Sequence, residues 1–378
     1  PEQGPPRLAE LRVELMREGL DGFLIPRADA HQGEYVSARD ERLAWLTGFT
    51  GSAGFCAALI NGAGVFIDGR YRTQVKSQVA SDYTPVPWPE VSLADWLVEQ
   101  LPSGGEVGFD PWLHTVAQIE QTRAALTGTG VTLIPCDNLV DRIWVDQRAP
   151  ASEAVKAHPM EFAGESHKDK RTRLAADLIK ADQTAAVITL PDSVCWLLNI
   201  RGADIPRNPI AQGFAVLNAD TTVDLFMTPS KLDGLEDHLG DMVRVHSSSD
   251  FLKHLEGLKA KVRLDKSSVP MIVADAIGKG AIWGDEPCAL PKACKNAAEI
   301  AGSSEAHLRD GAAIVELLAW LDAQDAGTLT ETQVVAQLEG YRRRDNALQD
   351  ISFETISGTG PNGAIMHYRV TEETDSTL

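Results

Sequence analysis

The run ISFETISGTGPNGAIMHY, Ile351 to Tyr368, ends on an imidazole, His367, set just after a loop of turn formers. Imidazole is the side chain best suited to giving or taking a proton near neutral pH, and it is also a common metal ligand. Taken alone, a single strand histidine is either structural or catalytic. Arg70, in the run DGRY, is a second candidate. From its residue type alone it is either functional or a surface, salt-bridging arginine. His307 and Asp310, spaced i, i+3 on a helix, could share a metal, but no third ligand is evident. GSAG around Ser52 lacks the G-x-S-x-G nucleophile elbow. The loop Gly358 to Gly363 is no phosphate cradle, because neither a helix nor Lys-Ser/Thr follows it. The five cysteines are scattered with no C-x-x-C pair, which argues against a zinc knuckle or redox motif and fits reduced thiols. His238, His246 and His254 fall in a polar helical region and read as solvated.

The elements that must position His367 read as a β-hairpin. Three glycines, a proline and an asparagine fill its loop. Period two on the return strand puts Ala364, Met366 and Tyr368 on one face and Ile365 and His367 on the other. Upstream, EAHLRDGAAIVELLAWLDAQ is an amphipathic helix with Ile314, Leu317, Leu318 and Leu321 on one stripe. A second helix opens on the capping box Thr330 to Gln333 and carries Val334, Leu338 and Tyr341. Two helices and a hairpin make a poor domain with an open sheet edge. The expectation is that this domain continues beyond Leu378.

The first 300 residues repeat one plan. RLAELRVELMREGLDGFLIP gives a helix with Leu8, Leu11 and Leu15 inward, a stop at Gly19 and a buried strand. RLAADLIKADQTAAVITL repeats it with Leu174, Leu178 and Ile179. In each copy an aspartate (Asp29, Asp192) follows the first strand, then a Trp-Leu pair, then a Gly-Phe that opens a strand hairpin. The copies part where the first hairpin ends in DGRY and the second in FMTPSK, so the fold itself does not require Arg70. The expected organisation is α/β, with similar domains at 1–150 and 151–294 and a third segment at 295–378.

Net charge is −19, from 35 basic and 54 acidic residues, which disfavours contact with nucleic-acid phosphates. The apolar runs are too short to span a bilayer. No secretory signal pattern opens the chain.

Several segments together resemble the cytosolic-type aminopeptidase P family, the X-prolyl aminopeptidases. They are Asp29 to Gly54, DGRY, NLVDRIW, WLLNIRGADIPRNP, AHLRDGAAIVELLAWL and SFETISGTGPNGAIMHY. The resemblance implies two creatinase-like N-terminal α/β domains followed by the first part of a pita-bread catalytic domain. It implies release of an N-terminal residue that precedes proline, by attack of a hydroxide bridging two metal ions. It implies Mn²⁺ as the metal, held by two aspartates, a histidine and two glutamates that would lie beyond residue 378. On this resemblance His367 is a catalytic and substrate-contacting histidine, Arg70 binds the peptide, and Asp375 is not a ligand. A cytoplasmic homodimer acting on X-Pro peptides is implied, with no nucleic-acid or membrane partner. The alternative is a catalytically inactive pita-bread protein serving as a peptide- or histone-binding module. The two-copy N-terminal half argues against a prolidase or creatinase, which carry one such domain.

Overall fold

Leu8, Leu11 and Leu15 are fully buried on the helix Gly4–Glu18. Gly19 ends that helix at φ 71°, a left-handed conformation that costs glycine little. Strand β1 (Gly22–Pro26) then runs through the centre of a six-stranded sheet with β2 (Phe55–Leu59), β3 (Gly62–Ile67), β4 (Thr84–Pro87), β5 (Gly105–Phe109) and β6 (Val131–Pro135). The structure is a computed structural model and describes residues 2–258 and 261–378. The strand order is β4-β3-β2-β1-β5-β6. Pairing is antiparallel from β1 to β2 and from β2 to β3, and parallel elsewhere. Side chains alternate across β1: Phe23 and Ile25 pack under the first helix, while Leu24 joins Trp96, Leu97 and Ile119 on the other face. Helices therefore cover both faces, which is why β1 is buried almost throughout rather than alternating.

A two-stranded ribbon follows, β7 (Lys156–Ala157) with β9 (Ile200–Arg201), and the plan then recurs. A second sheet comprises β8 (Ala185–Ile188), β10 (Phe214–Asn218), β11 (Val223–Phe226), β12 (Val243–His246), β13 (Val262–Leu264) and β14 (Ala281–Trp283). Its order, β12-β11-β10-β8-β13-β14, is that of the first sheet strand for strand, and so are its pairing directions. Leu174 and Leu178 are buried beneath this sheet as the repeat implies. Ile179 is not: at 63% exposed it belongs to the outer face of its helix. The helix Pro191–Leu198 stops at Asn199, φ 50°. A buried cation meets this end: Lys170 Nζ donates to the Trp196 carbonyl at 2.9 Å and to the side-chain Oδ1 of Asn199 at 2.7 Å.

The two sheet domains are joined through main chain. Val116 N donates to the Val269 carbonyl (3.2 Å), Ala117 N to Lys266 (2.9 Å) and Met271 N to His114 (2.9 Å). Asp29 is buried at this junction, where Oδ1 accepts from His31 N (2.9 Å) and Oδ2 accepts from Gln212 Nε2 of the second domain (3.0 Å). His31 stacks on Phe214, ring centroids 4.3 Å apart. Asp192, its counterpart in the repeat, instead meets Lys292 near the surface.

His114, also at the junction, is buried beside Phe109, with Nδ1 3.1 Å from the Asp110 carbonyl. Burial pushes its pKa down from 6.5 to about 4, the carbonyl working weakly the other way. The unfolded chain thus takes up a proton at higher pH than the native state does. Stability is unaffected above pH 6.5 and falls as the pH drops towards 4, by about 3 kcal/mol from this group. Urea unfolding at pH 7 and pH 4.5 checks it. His114→Gln keeps a donor for the carbonyl but cannot titrate, so it is expected to lose about 2 kcal/mol less than the parent between those pH values.

Contacts divide the chain into two compact units. One runs to His158 and from Glu165 to Cys294, and holds both sheets. The other comprises Pro159–Gly164 and Lys295–Leu378. In the second unit the helix Ala297–Asp322 opens on a capping box, Asn296 Oδ1 accepting from Glu299 N (3.0 Å) and Glu299 Oε2 from Asn296 N (2.9 Å). It packs on the helix Glu331–Arg342 through Ala313, Leu317, Val334 and Leu338, with Leu321 and Tyr341 at the margin. Leu318, expected on the inward stripe, is exposed. Gln333 Oε1 does accept from Thr330 N at 3.0 Å, as the T-x-x-Q pattern implies.

Candidate functional site

Arg70 stands on a 3-10 turn, Gly69–Tyr71, directly after β3. Asp68 caps the turn by accepting from Arg70 N at 2.9 Å, and the same carboxylate receives the guanidinium, Nη2 to Oδ2 at 2.7 Å. That hydrogen bond raises the arginine's pKa, so its charge is secure. Arg70 lies 5.2 Å from the centroid of the Tyr71 ring and keeps 41% of its side chain exposed. The result is a cation fixed in direction yet reachable by a ligand carbonyl or carboxylate. The matching turn of the second domain, Pro229–Leu232, presents its cation inward, where Lys231 is buried against Asp204.

His367 belongs to the other compact unit, and its surroundings differ from the sequence expectation. Ile351 to Tyr368 forms no β-hairpin. Gly360–Ala364 is a 3-10 turn, and His367 sits exposed in a following turn with φ 54°. The expected faces fail with it: Tyr368 is buried, whereas Met366 is exposed. A hairpin alone is marginal and needs a third strand or a packed helix to persist. No strand among the described residues of this unit pairs with the segment, so turn chemistry prevails.

What holds the segment is Glu331, fully buried at the first position of its helix. Its carboxylate accepts from Thr359 N (2.6 Å), Asn362 Nδ2 (3.1 Å) and the Tyr368 hydroxyl (2.8 Å). Burial works against the charge, but these donors outweigh it and hold the carboxyl below the usual glutamate range. The sequence does not single Glu331 out, because an acidic residue in the first turn of a helix is ordinary. Asp375 caps the same helix, accepting from Thr332 N at 3.0 Å and Thr332 Oγ1 at 2.6 Å.

His307 and Asp310 form no shared site. His307 Nδ1 meets the Ser303 carbonyl at 2.7 Å, and Asp310 takes the Arg342 guanidinium, Nε to Oδ1 at 2.5 Å. The three histidines read as solvated are half-buried and partnered. His238 Nε2 lies 2.9 Å from the Leu198 carbonyl. His246, on β12, meets the buried Asp224 at 2.8 Å, and His254 lies 3.7 Å from the same carboxylate. Asp224 sits opposite Arg244 and diagonal to His246, close only once β11 and β12 pair, so their spacing in the sequence conceals them. Among the described residues no group of three or more His, Cys, Asp or Glu is placed to hold a metal ion. No described helix is long and apolar enough to cross a membrane.

Comparison with known proteins covers nearly the whole chain. Residues 7–143 and 146–299 each match the Creatinase/Prolidase N-terminal domain, and residues 301–377 match Metallopeptidase family M24. A probable Xaa-Pro aminopeptidase P of Coccidioides posadasii is 37% identical over 96% of this chain and 63% of its own length. One from Laccaria bicolor is 35% identical over 96% of this chain and 59% of its own. The chain thus spans about three fifths of these curated relatives. The crystal structure of the X-prolyl aminopeptidase of Caenorhabditis elegans, a cytosolic enzyme with a di-nuclear active site, superposes with a TM-score of 0.92 at 30% identity, over 99% of this chain and 65% of that one.

Proposed function

We propose, from the match of residues 7–143 and 146–299 to the Creatinase/Prolidase N-terminal domain and of residues 301–377 to Metallopeptidase family M24, that the whole protein is an X-prolyl aminopeptidase. It would release the first residue of peptides whose second residue is proline. The observation that carries this reading is the likeness to X-prolyl aminopeptidases, which runs through both creatinase-like domains and the M24 segment in sequence and in fold. Metal dependence goes with the M24 family; Mn²⁺ as the ion, a cytoplasmic location and a homodimer are further parts of the proposal.

Within this chain the proposal gives two residues a part. Arg70, charged and held by Asp68, orients the bound peptide. His367 hydrogen-bonds the substrate near the reacting carbonyl, where it would help most as negative charge develops on oxygen. Arg70→Ala in the whole protein is expected to raise KM roughly 10- to 100-fold, the equivalent of about 1.5–3 kcal/mol for a hydrogen bond to a charged group, with kcat little changed. Steady-state kinetics across a series of peptide lengths checks this. The proposal as a whole is tested by supplying the whole protein with Mn²⁺ and comparing an X-Pro peptide with its X-Ala counterpart. Cleavage confined to the X-Pro peptide supports it. Binding of both peptides without cleavage would instead support the inactive, peptide-binding alternative.

A further inference from the structure

Glu331 does more in its unit than begin a helix. A carboxylate fully removed from solvent is costly unless donors surround it. Here three of its donors, the Thr359 amide, the Asn362 carboxamide and the Tyr368 hydroxyl, come from one stretch, Thr359 to Tyr368, and the Ser376 amide also faces the carboxylate. Those contacts pin the stretch at both ends. The second pin is the residue directly after His367. The tie is reinforced, since Asn362 Nδ2 also reaches the Tyr368 hydroxyl at 3.0 Å. Hydrogen bonds to a charged acceptor are about twice as strong as neutral ones, so this one carboxylate dominates the local geometry.

The backbone between the pins supplies a second, independent observation. His367 holds φ 54°, a region that residues other than glycine seldom occupy. Such a conformation persists where its surroundings over-determine it, and it tends to occur where a side chain must be aimed. The adjoining hydrogen bond, from Tyr368 N to the Ile365 carbonyl at 3.2 Å, closes the turn that contains it.

We propose that Glu331 is the positioning residue for His367: its buried carboxylate fixes both ends of the turn that carries the imidazole and so sets where that imidazole meets the substrate. This rests on the reading of His367 as a substrate-contacting group. Glu331 itself touches no substrate and acts only through the turn.

The test uses the whole, metal-loaded protein, with kcat expressed per competent site, metal content measured for each variant, and His367→Ala run alongside. Glu331→Ala is expected to lower kcat by up to about 100-fold, the size of effect a misplaced group produces, with KM and metal content little changed. Tyr368→Phe should give a smaller loss. The double variant should be no slower than Glu331→Ala alone, because both changes break one contact. Glu331→Gln, which keeps one acceptor oxygen, should recover part of the rate. A readout free of catalysis accompanies these: the Thr359 amide of the present chain should exchange with solvent faster in Glu331→Ala, while amides of the helix Gly4–Glu18 stay unchanged. If Glu331→Ala keeps full kcat while His367→Ala loses it, the positioning role fails and the reading of His367 stands. If His367→Ala itself keeps full kcat, that reading fails and the inference falls with it. Should Glu331→Ala not fold, Tyr368→Phe decides: a lowered kcat supports the role, and an unchanged one overturns it.

Discussion

His367→Ala in the whole, metal-loaded protein is expected to lower kcat by roughly 10²- to 10³-fold, the cost of removing one hydrogen-bond donor aimed at a developing oxyanion. The imidazole is exposed on its turn, and replacing it empties no part of the core, so the fold should be spared. The loss should fall on kcat and kcat/KM alike, because the hydrogen bond matters in the transition state more than in the bound substrate. This separates His367 from Arg70, whose removal should appear in KM. Kinetics on an X-Pro peptide, with metal analysis of each protein, gives the answer. Undiminished kcat would make His367 a structural residue.

The largest expected effect on stability lies elsewhere, at Lys231. Its ammonium is buried against Asp204, with the two side chains 3% and 0% exposed. Gln212 N also donates to Asp204 Oδ2, at 2.6 Å. Lys231→Met leaves a carboxylate in the core without its counter-charge, a change that costs about 3–5 kcal/mol. Replacing both partners by apolar residues of similar size is expected to return most of that loss, because the pair's desolvation cost vanishes with it. Equilibrium unfolding of the single and double variants checks both statements. A double variant as unstable as Lys231→Met would mean that Asp204 matters for its bond to Gln212 rather than for its charge.

Much of the fold could be read from the sequence because its signals are local and periodic. Leu8, Leu11, Leu15 and Gly19 define a helix and its stop without reference to anything distant, and they lie where that pattern puts them. The duplication was legible for a similar reason: the order of helix, strand and turn survives even where side chains differ, and the strand orders of the two sheets agree. Reading failed where long-range partners decide. Ile179 satisfies the spacing of an inward face but lies one step past the stripe. The run from Ile351 to Tyr368 has strand-like alternation, yet a buried carboxylate at Glu331 captures its donors and winds it into turns. Asp224 gathers Arg244 and His246 only because parallel strands bring them side by side. Of the candidate site, the residue types at Arg70 and His367 were legible; the conformations that aim them were not.

The short helix Met160–Ala163 lies between β7 and β8 in the chain, yet it packs with the unit that begins at Lys295. Asn296 accounts for this: while its oxygen caps one helix, its Nδ2 donates to the Ala163 carbonyl at 2.8 Å. Evolution can move a part between proteins most cheaply when that part is one unbroken stretch of gene. This unit is not. A recombination event placed at residue 295 would strand Pro159–Gly164 with the donor of the sheet domains and expose the end it covers. The same holds at the bench, where a chimaera cut there would need those six residues to come from the same parent as Asn296. The two parts of this chain are therefore expected to have been inherited together and to tolerate exchange only as a set.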